Sequence, residues 1–119
     1  MKIDIDLFAP ESEFSAQFVR GMAARMAVSF HKYGKVADAV PWKIDALESA
    51  LRRIQKYRET KNTEWLIDAA NFVMMEFMHP SIDGAHFRAT DSHESPGRVT
   101  SFGDGECSAP NSEIGEGGA

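Results

Sequence analysis

A single cysteine, Cys107, in 119 residues leaves no partner for an internal disulfide. That removes the class of small oxidised domains held by staples and fits a reducing compartment. Long apolar runs are missing too, since no stretch approaches the roughly 20 consecutive apolar residues of a membrane span. The opening Met1-Lys2-Ile3-Asp4-Ile5-Asp6 is acidic and has no signal-peptide-like apolar run. The expectation is a soluble, cytoplasmic protein without a membrane partner. There is also no surplus of positive charge. Residues 1–80 hold eleven acids and eleven bases, and the net −5 arises in residues 81–119, where seven acids face only Arg88 and Arg98. Recognition of nucleic acid through its phosphates needs a basic excess, so no nucleic-acid partner is expected. Phosphate-loop glycines, the dinucleotide-binding glycine pattern and a nucleophile elbow are all lacking. His79, His86 and His93 are spaced by seven, which is no zinc-ligand spacing. Cys107 has no base pattern near it that would activate a nucleophile.

What is present reads as one all-α domain. Residues 1–9 alternate Ile3, Ile5 and Leu7 with Asp4 and Asp6, and a lone run of strand periodicity is expected to be an extended arm. The first helix is expected to open at Pro10, with Glu11 and Glu13 complementing its positive end. Phe14, Phe18, Met22, Met26 and Phe30 then recur every four residues as its buried stripe, and Gly34 supplies a left-handed close. After a connection over residues 35–40, Pro41 is expected to start the second helix, with Ile44, Leu47, Leu51 and Ile54 as its apolar line. Arg52, Arg53, Lys56, Arg58 and Lys61 crowd its end, as a solvated helix terminus or as a clamp for polyphosphate. Asn62 is placed to cap the third helix, and His79-Pro80 ends it. The helical domain is expected over residues 10–88. From residue 89 onward Gly, Ser, Asp and Glu dominate, the composition of a flexible acidic tail.

The third helix carries the sharpest functional signal. It is apolar nearly all round, the pattern of a helix inside a fold, yet Glu64, Asp68 and Asn71 fall within roughly 60° of one another at about 100° per residue. Buried carboxylates must be paired, hydrated or metal-bound. One reading is a Mg²⁺ site of hard oxygen ligands, Glu64 and Asp68 assisted by Asp45 and Glu48 from the second helix. The plainer reading is structural hydrogen bonding by Asp68 and Asn71, with Glu48 simply paired to Arg52 four residues on. His31-Lys32-Tyr33-Gly34 is open in the same way, as a helix cap or as a place where Lys32 meets a phosphate. Three helices also make a thin core, so a homodimer with the third helix at or near the interface is expected.

The segment Arg25–Pro80 resembles a family of small proteins common in phages and prophages of actinobacteria. The residues carrying the likeness are Phe30-His31-Lys32-Tyr33-Gly34, Tyr57, Thr60, Asn62 through Asn71, and Glu76-Phe77-Met78-His79-Pro80. More distantly the chain is similar to the MazG-like, all-α nucleotide pyrophosphohydrolases. That resemblance implies an oligomeric helical enzyme, in the host cytoplasm if phage-encoded, that splits nucleoside triphosphates to monophosphate and pyrophosphate with Mg²⁺. It would place Asp45 and Glu48 on one acidic helix and Glu64 and Asp68 on the other, with Asn71 orienting water or base and Lys32 neutralising phosphate charge. The chain departs from those enzymes in two places. Asp45-x-x-Glu48 stands where they carry Glu-Glu-x-x-Glu, and Glu64 and Asp68 are four apart where their second motif is Glu-x-x-Asp. The alternative function is non-catalytic, a small helical protein that binds a nucleotide or a host protein.

Overall fold

The computed structural model describes residues 9–91, 93 and 94. Nearly all of the expected N-terminal arm, and the expected tail beyond residue 94 with Cys107, lie outside these residues. The described residues are all-α, with three main helices and no strand: α1 (Ala16–Tyr33), α2 (Ala46–Thr60) and α3 (Glu64–Met78). They divide between Ala85 and His86 into two compact units. The three helices belong to the first. In the second, Asp91 Oδ1 accepts from the backbone N–H groups of His93 and Glu94, and Arg88 pairs with Glu94 at 3.1 Å.

Helix boundaries follow side-chain caps rather than prolines. Pro10 precedes only a three-residue 3-10 turn, Glu11–Glu13, and Phe14 is extended. Helix α1 starts after Ser15, whose hydroxyl accepts from the Phe18 N–H. The second helix likewise starts after Asp45 instead of at Pro41, because the Asp45 carboxylate accepts from the Glu48 N–H at 3.0 Å and satisfies an orphan donor. The Val40–Pro41 bond is cis. Gly34 closes α1 at φ 89°, as its position led us to expect, but with ψ −159° it sits outside the left-handed helical well. Asn62 Oδ1 accepts from the Glu64 N–H at 3.0 Å, the capping role read from the sequence, while Thr63 in the formal cap position makes no side-chain bond. Helix α3 stops at His79, ahead of Pro80.

Helix α3 is the centre of the fold, with α2 packed extensively on one flank and α1 on another. The α2 face that meets α3 is small: Ala46 and Ala50 are buried, and Tyr57 is half-buried. This corrects the expected orientation of α2. Ile44, Leu47 and Leu51, read as its core line, are exposed, and only Ile54 of that line is half-buried. Alanine at the contact lets the helix axes approach closely, which larger side chains would prevent. The α1 stripe is corrected in part. Phe18, Met22 and Met26 are half-buried, whereas Phe14 and Phe30 are exposed. The connection after α1 contributes more than expected. It holds a 3-10 turn at Val36–Asp38 and then Val40, the most buried large side chain, which joins Ala46 and Met75 with Met26, Val36, Ala39 and Phe72 around them. The buried apolar set among the described residues is only Val40, Ala46, Ala50, Ala69 and Met75. Helix α3 is therefore central without being enclosed, since Val73, Phe77 and Met78 remain exposed.

Candidate functional site

Helix α1 approaches α3 along three successive contacts. Gly21 leaves room for Ile67; a methyl there would sit 2.7 Å from Ile67 Cδ1. One residue on, the Met22 carbonyl accepts from Asn71 Nδ2 at 3.2 Å. Arg25 then reaches the acidic end of the α3 stripe. Its Nε and Nη2 donate to the two oxygens of Asp68 at 3.1 and 3.2 Å, and its Nη1 donates to Glu64 at 3.1 Å. The guanidinium fork matches a carboxylate edge, so the pair is both charged and geometrically specific. The Asp68 side chain is only 16% exposed, while Arg25 is 49% and Glu64 54% exposed.

The predicted site residues thus separate into two sets. Glu64 and Asp68 come together, on Arg25. Asn71 lies beside them and is buried. Asp45 and Glu48 do not join them: Asp45 caps α2, and Glu48 accepts from Arg52 Nε at 3.1 Å. Among the described residues, no group of three or more His, Cys, Asp or Glu side chains is placed to hold a metal ion. Two carboxylates on one helix, already satisfied by a guanidinium, fit that cation rather than a resident Mg²⁺, which needs several oxygen donors in near-octahedral array.

Asp68 and Asn71 instead help to floor a groove of about 280 Å³. Arg25, Ser29, Lys32 and Tyr33 of α1 form one wall, Arg53 of α2 the other, and Asp68, Asn71, Phe72 and Met75 of α3 the base. Its size lies near the low end of small-ligand sites, roughly 300–1,000 Å³. Three cations, Arg25, Lys32 and Arg53, line it against one carboxylate, Asp68, so its formal charge is +2. The Arg53 guanidinium stands 4.6 Å from the Phe72 ring centroid, and Lys32 Nζ is 5.6 Å from that of Tyr33. Both cations rest on aromatic faces, which orients them without neutralising them.

Two polar atoms of this groove are buried and have no hydrogen-bond partner, Asn71 Oδ1 and Arg53 Nε. Such atoms cost about 1–3 kcal/mol each when left unpaired. The Asn71 amide is held by its other end, where Nδ2 donates to the Met22 carbonyl, and its Oδ1 is buried beneath the groove.

No family model, curated protein or solved structure matches the chain. The site therefore rests on its own geometry.

Lys32, Asp68 and Asn71, singled out in the sequence, line this groove, as does Arg53, read there within a basic cluster that could clamp polyphosphate; Arg25 and Phe72 were not singled out. Arg25 had a signal: it interrupts the apolar side of α1 between Met22 and Met26, and a carboxylate pair on α3 demands a cation. Arg53 was grouped with its basic neighbours, although it follows Ala46 and Ala50 at helical spacing and so shares the face turned to α3.

Proposed function

We propose that this protein binds a nucleoside phosphate in the groove between α1 and α2, without needing a metal ion. The observation that carries the reading is a groove lined by three cations, Arg25, Lys32 and Arg53, against the single carboxylate of Asp68. Arg25, Lys32 and Arg53 supply charge for phosphate oxygens, and the exposed Tyr33 ring supplies a face for a base. Asp68 moderates the charge, so a phosphate gains access to Arg25 in competition with the carboxylates.

A second reading, Mg²⁺-dependent cleavage of nucleoside triphosphates to monophosphate and pyrophosphate, is favoured by the single guanidinium shared between Glu64 and Asp68. A phosphate that draws Arg25 away would release both carboxylates on one side of α3. The resemblance to phage proteins and to MazG-like enzymes adds a host-cytoplasm setting to either reading. No helix among the described residues is long and apolar enough to cross a membrane.

Calorimetric titration with deoxynucleoside triphosphates, with and without Mg²⁺, separates the two. Saturable binding that is indifferent to Mg²⁺, with no turnover, supports the binder. Release of pyrophosphate that Asp68→Asn abolishes supports the enzyme. Absence of both binding and turnover removes the nucleotide from the account.

A further inference from the structure

We infer that the side of the α2–α3 hairpin turned away from the groove is a docking face for a second copy of this chain. On α3, Leu66, Ala70, Val73 and Phe77 follow at intervals of four, three and four, the spacing that holds one seam along a helix. At about 100° per residue this seam lies opposite Asp68, Phe72 and Met75, which floor the groove. On α2, Arg53 marks the groove side, and Leu47, Leu51 and Ile54 lie roughly 100–160° around the helix from it. They emerge on the same side as the α3 seam. Helix α1 packs on the other flank of α3, through Gly21, Met22 and Arg25, and leaves this face open.

Area, charge and the thin core identify the occupant. Leu47, Leu51, Val73 and Phe77 are 39, 62, 55 and 73% exposed. Together they present about 400–500 Å² of contiguous apolar surface, more than half of the roughly 800 Å² that each partner contributes to a standard interface. A patch of this size matches the largest one found on typical monomers, which is often a contact surface. The α3 seam carries no charge, and the α2 rim carries both signs, in Glu48, Arg52, Arg58 and Glu59. A bilayer surface would be matched by a cationic rim, and a strongly charged partner by a rim of one sign. A mixed rim around an apolar seam is self-complementary about a two-fold axis. Two hairpins stacked seam to seam form a four-helix layer, supplying the core that five buried apolar residues do not.

Sedimentation velocity on the 119-residue chain, from about 1 to 100 μM, tests this directly. The expected species is a dimer of 13.2 kDa chains. Val73→Glu combined with Phe77→Glu is expected to weaken association at least ~10-fold while far-UV circular dichroism keeps its helical signal. Should the double variant lose its fold, Phe77→Ala gives the milder form of the same effect. A wild type that stays monomeric across the range overturns the inference, as does a Phe77→Ala chain that associates as tightly as wild type. Nucleotide affinity measured on the same samples reports on the groove separately, so the two proposals fail independently.

Discussion

Removing Arg25 should destabilise the protein more than removing Asp68, although the two side chains face each other in the same ion pair. The asymmetry follows from their surroundings. Asp68 is 16% exposed and Arg25 is 49% exposed. Arg25→Met strands a largely desolvated carboxylate, a loss of ~1.5–2 kcal/mol. Asp68→Asn leaves a half-exposed guanidinium that water solvates and Glu64 still contacts at 3.1 Å, a loss of ~0.5–1 kcal/mol. A double-mutant cycle between the positions should yield a coupling of ~1 kcal/mol, above the usual exposed pair because the contact is two-pronged and half-buried. Urea unfolding followed at 222 nm supplies all four stabilities, and a shared slope licenses their comparison. Raising the salt should reduce the coupling only modestly, since the Asp68 side is shielded from screening ions. A coupling indistinguishable from zero, or a larger loss for Asp68→Asn than for Arg25→Met, would refute this account of how α1 is fastened to α3.

Three further substitutions probe the site and the fold. Asn71→Leu removes the Nδ2 bond to the Met22 carbonyl together with a buried acceptor that has no partner, so stability by urea unfolding should fall by only ~1 kcal/mol; a loss above ~3 kcal/mol, or none at all, would contradict this account of the α1–α3 contact. Asp45→Ala removes the cap of α2 and should cost ~1 kcal/mol, with groove affinity unchanged by calorimetry; a variant that stays fully stable would contradict the capping role. Gly34→Ala forces a side chain into φ 89°, ψ −159°, and should lower stability by ~1–3 kcal/mol, read as an earlier thermal midpoint, although nothing lies near the added methyl.

Which residues make helices was legible because the signals are local. Gly34 and His79-Pro80 mark ends through their backbone chemistry and Asn62 through its side-chain oxygen, and the structure uses all of them. Helix starts were misplaced at Pro10 and Pro41 because proline suits a first turn without requiring one. Ser15 and Asp45, which bond a backbone N–H three residues on, decide the boundary. Which face of α2 turns inward was not legible. Periodicity finds Leu47, Leu51 and Ile54 as an apolar line, but it cannot say whether the line meets α3 or lies open. Ala46 and Ala50 win that contact because close axial approach rewards small side chains. The acid stripe of Glu64 and Asp68 was visible from spacing alone. Its partner was not, since Arg25 lies about forty residues away along the chain and only the packing of α1 on α3 brings them together.

The central claim is that the groove takes a nucleoside phosphate through Arg25, in competition with Asp68. Calorimetric titration of a deoxynucleoside triphosphate in metal-free buffer, against wild type and Asp68→Asn side by side, tests it most directly. The account predicts one site per chain and an affinity tightened by ~3–10-fold in Asp68→Asn, where only Glu64 still competes with phosphate for the guanidinium. No binding to wild type, or binding weakened by Asp68→Asn, would contradict it.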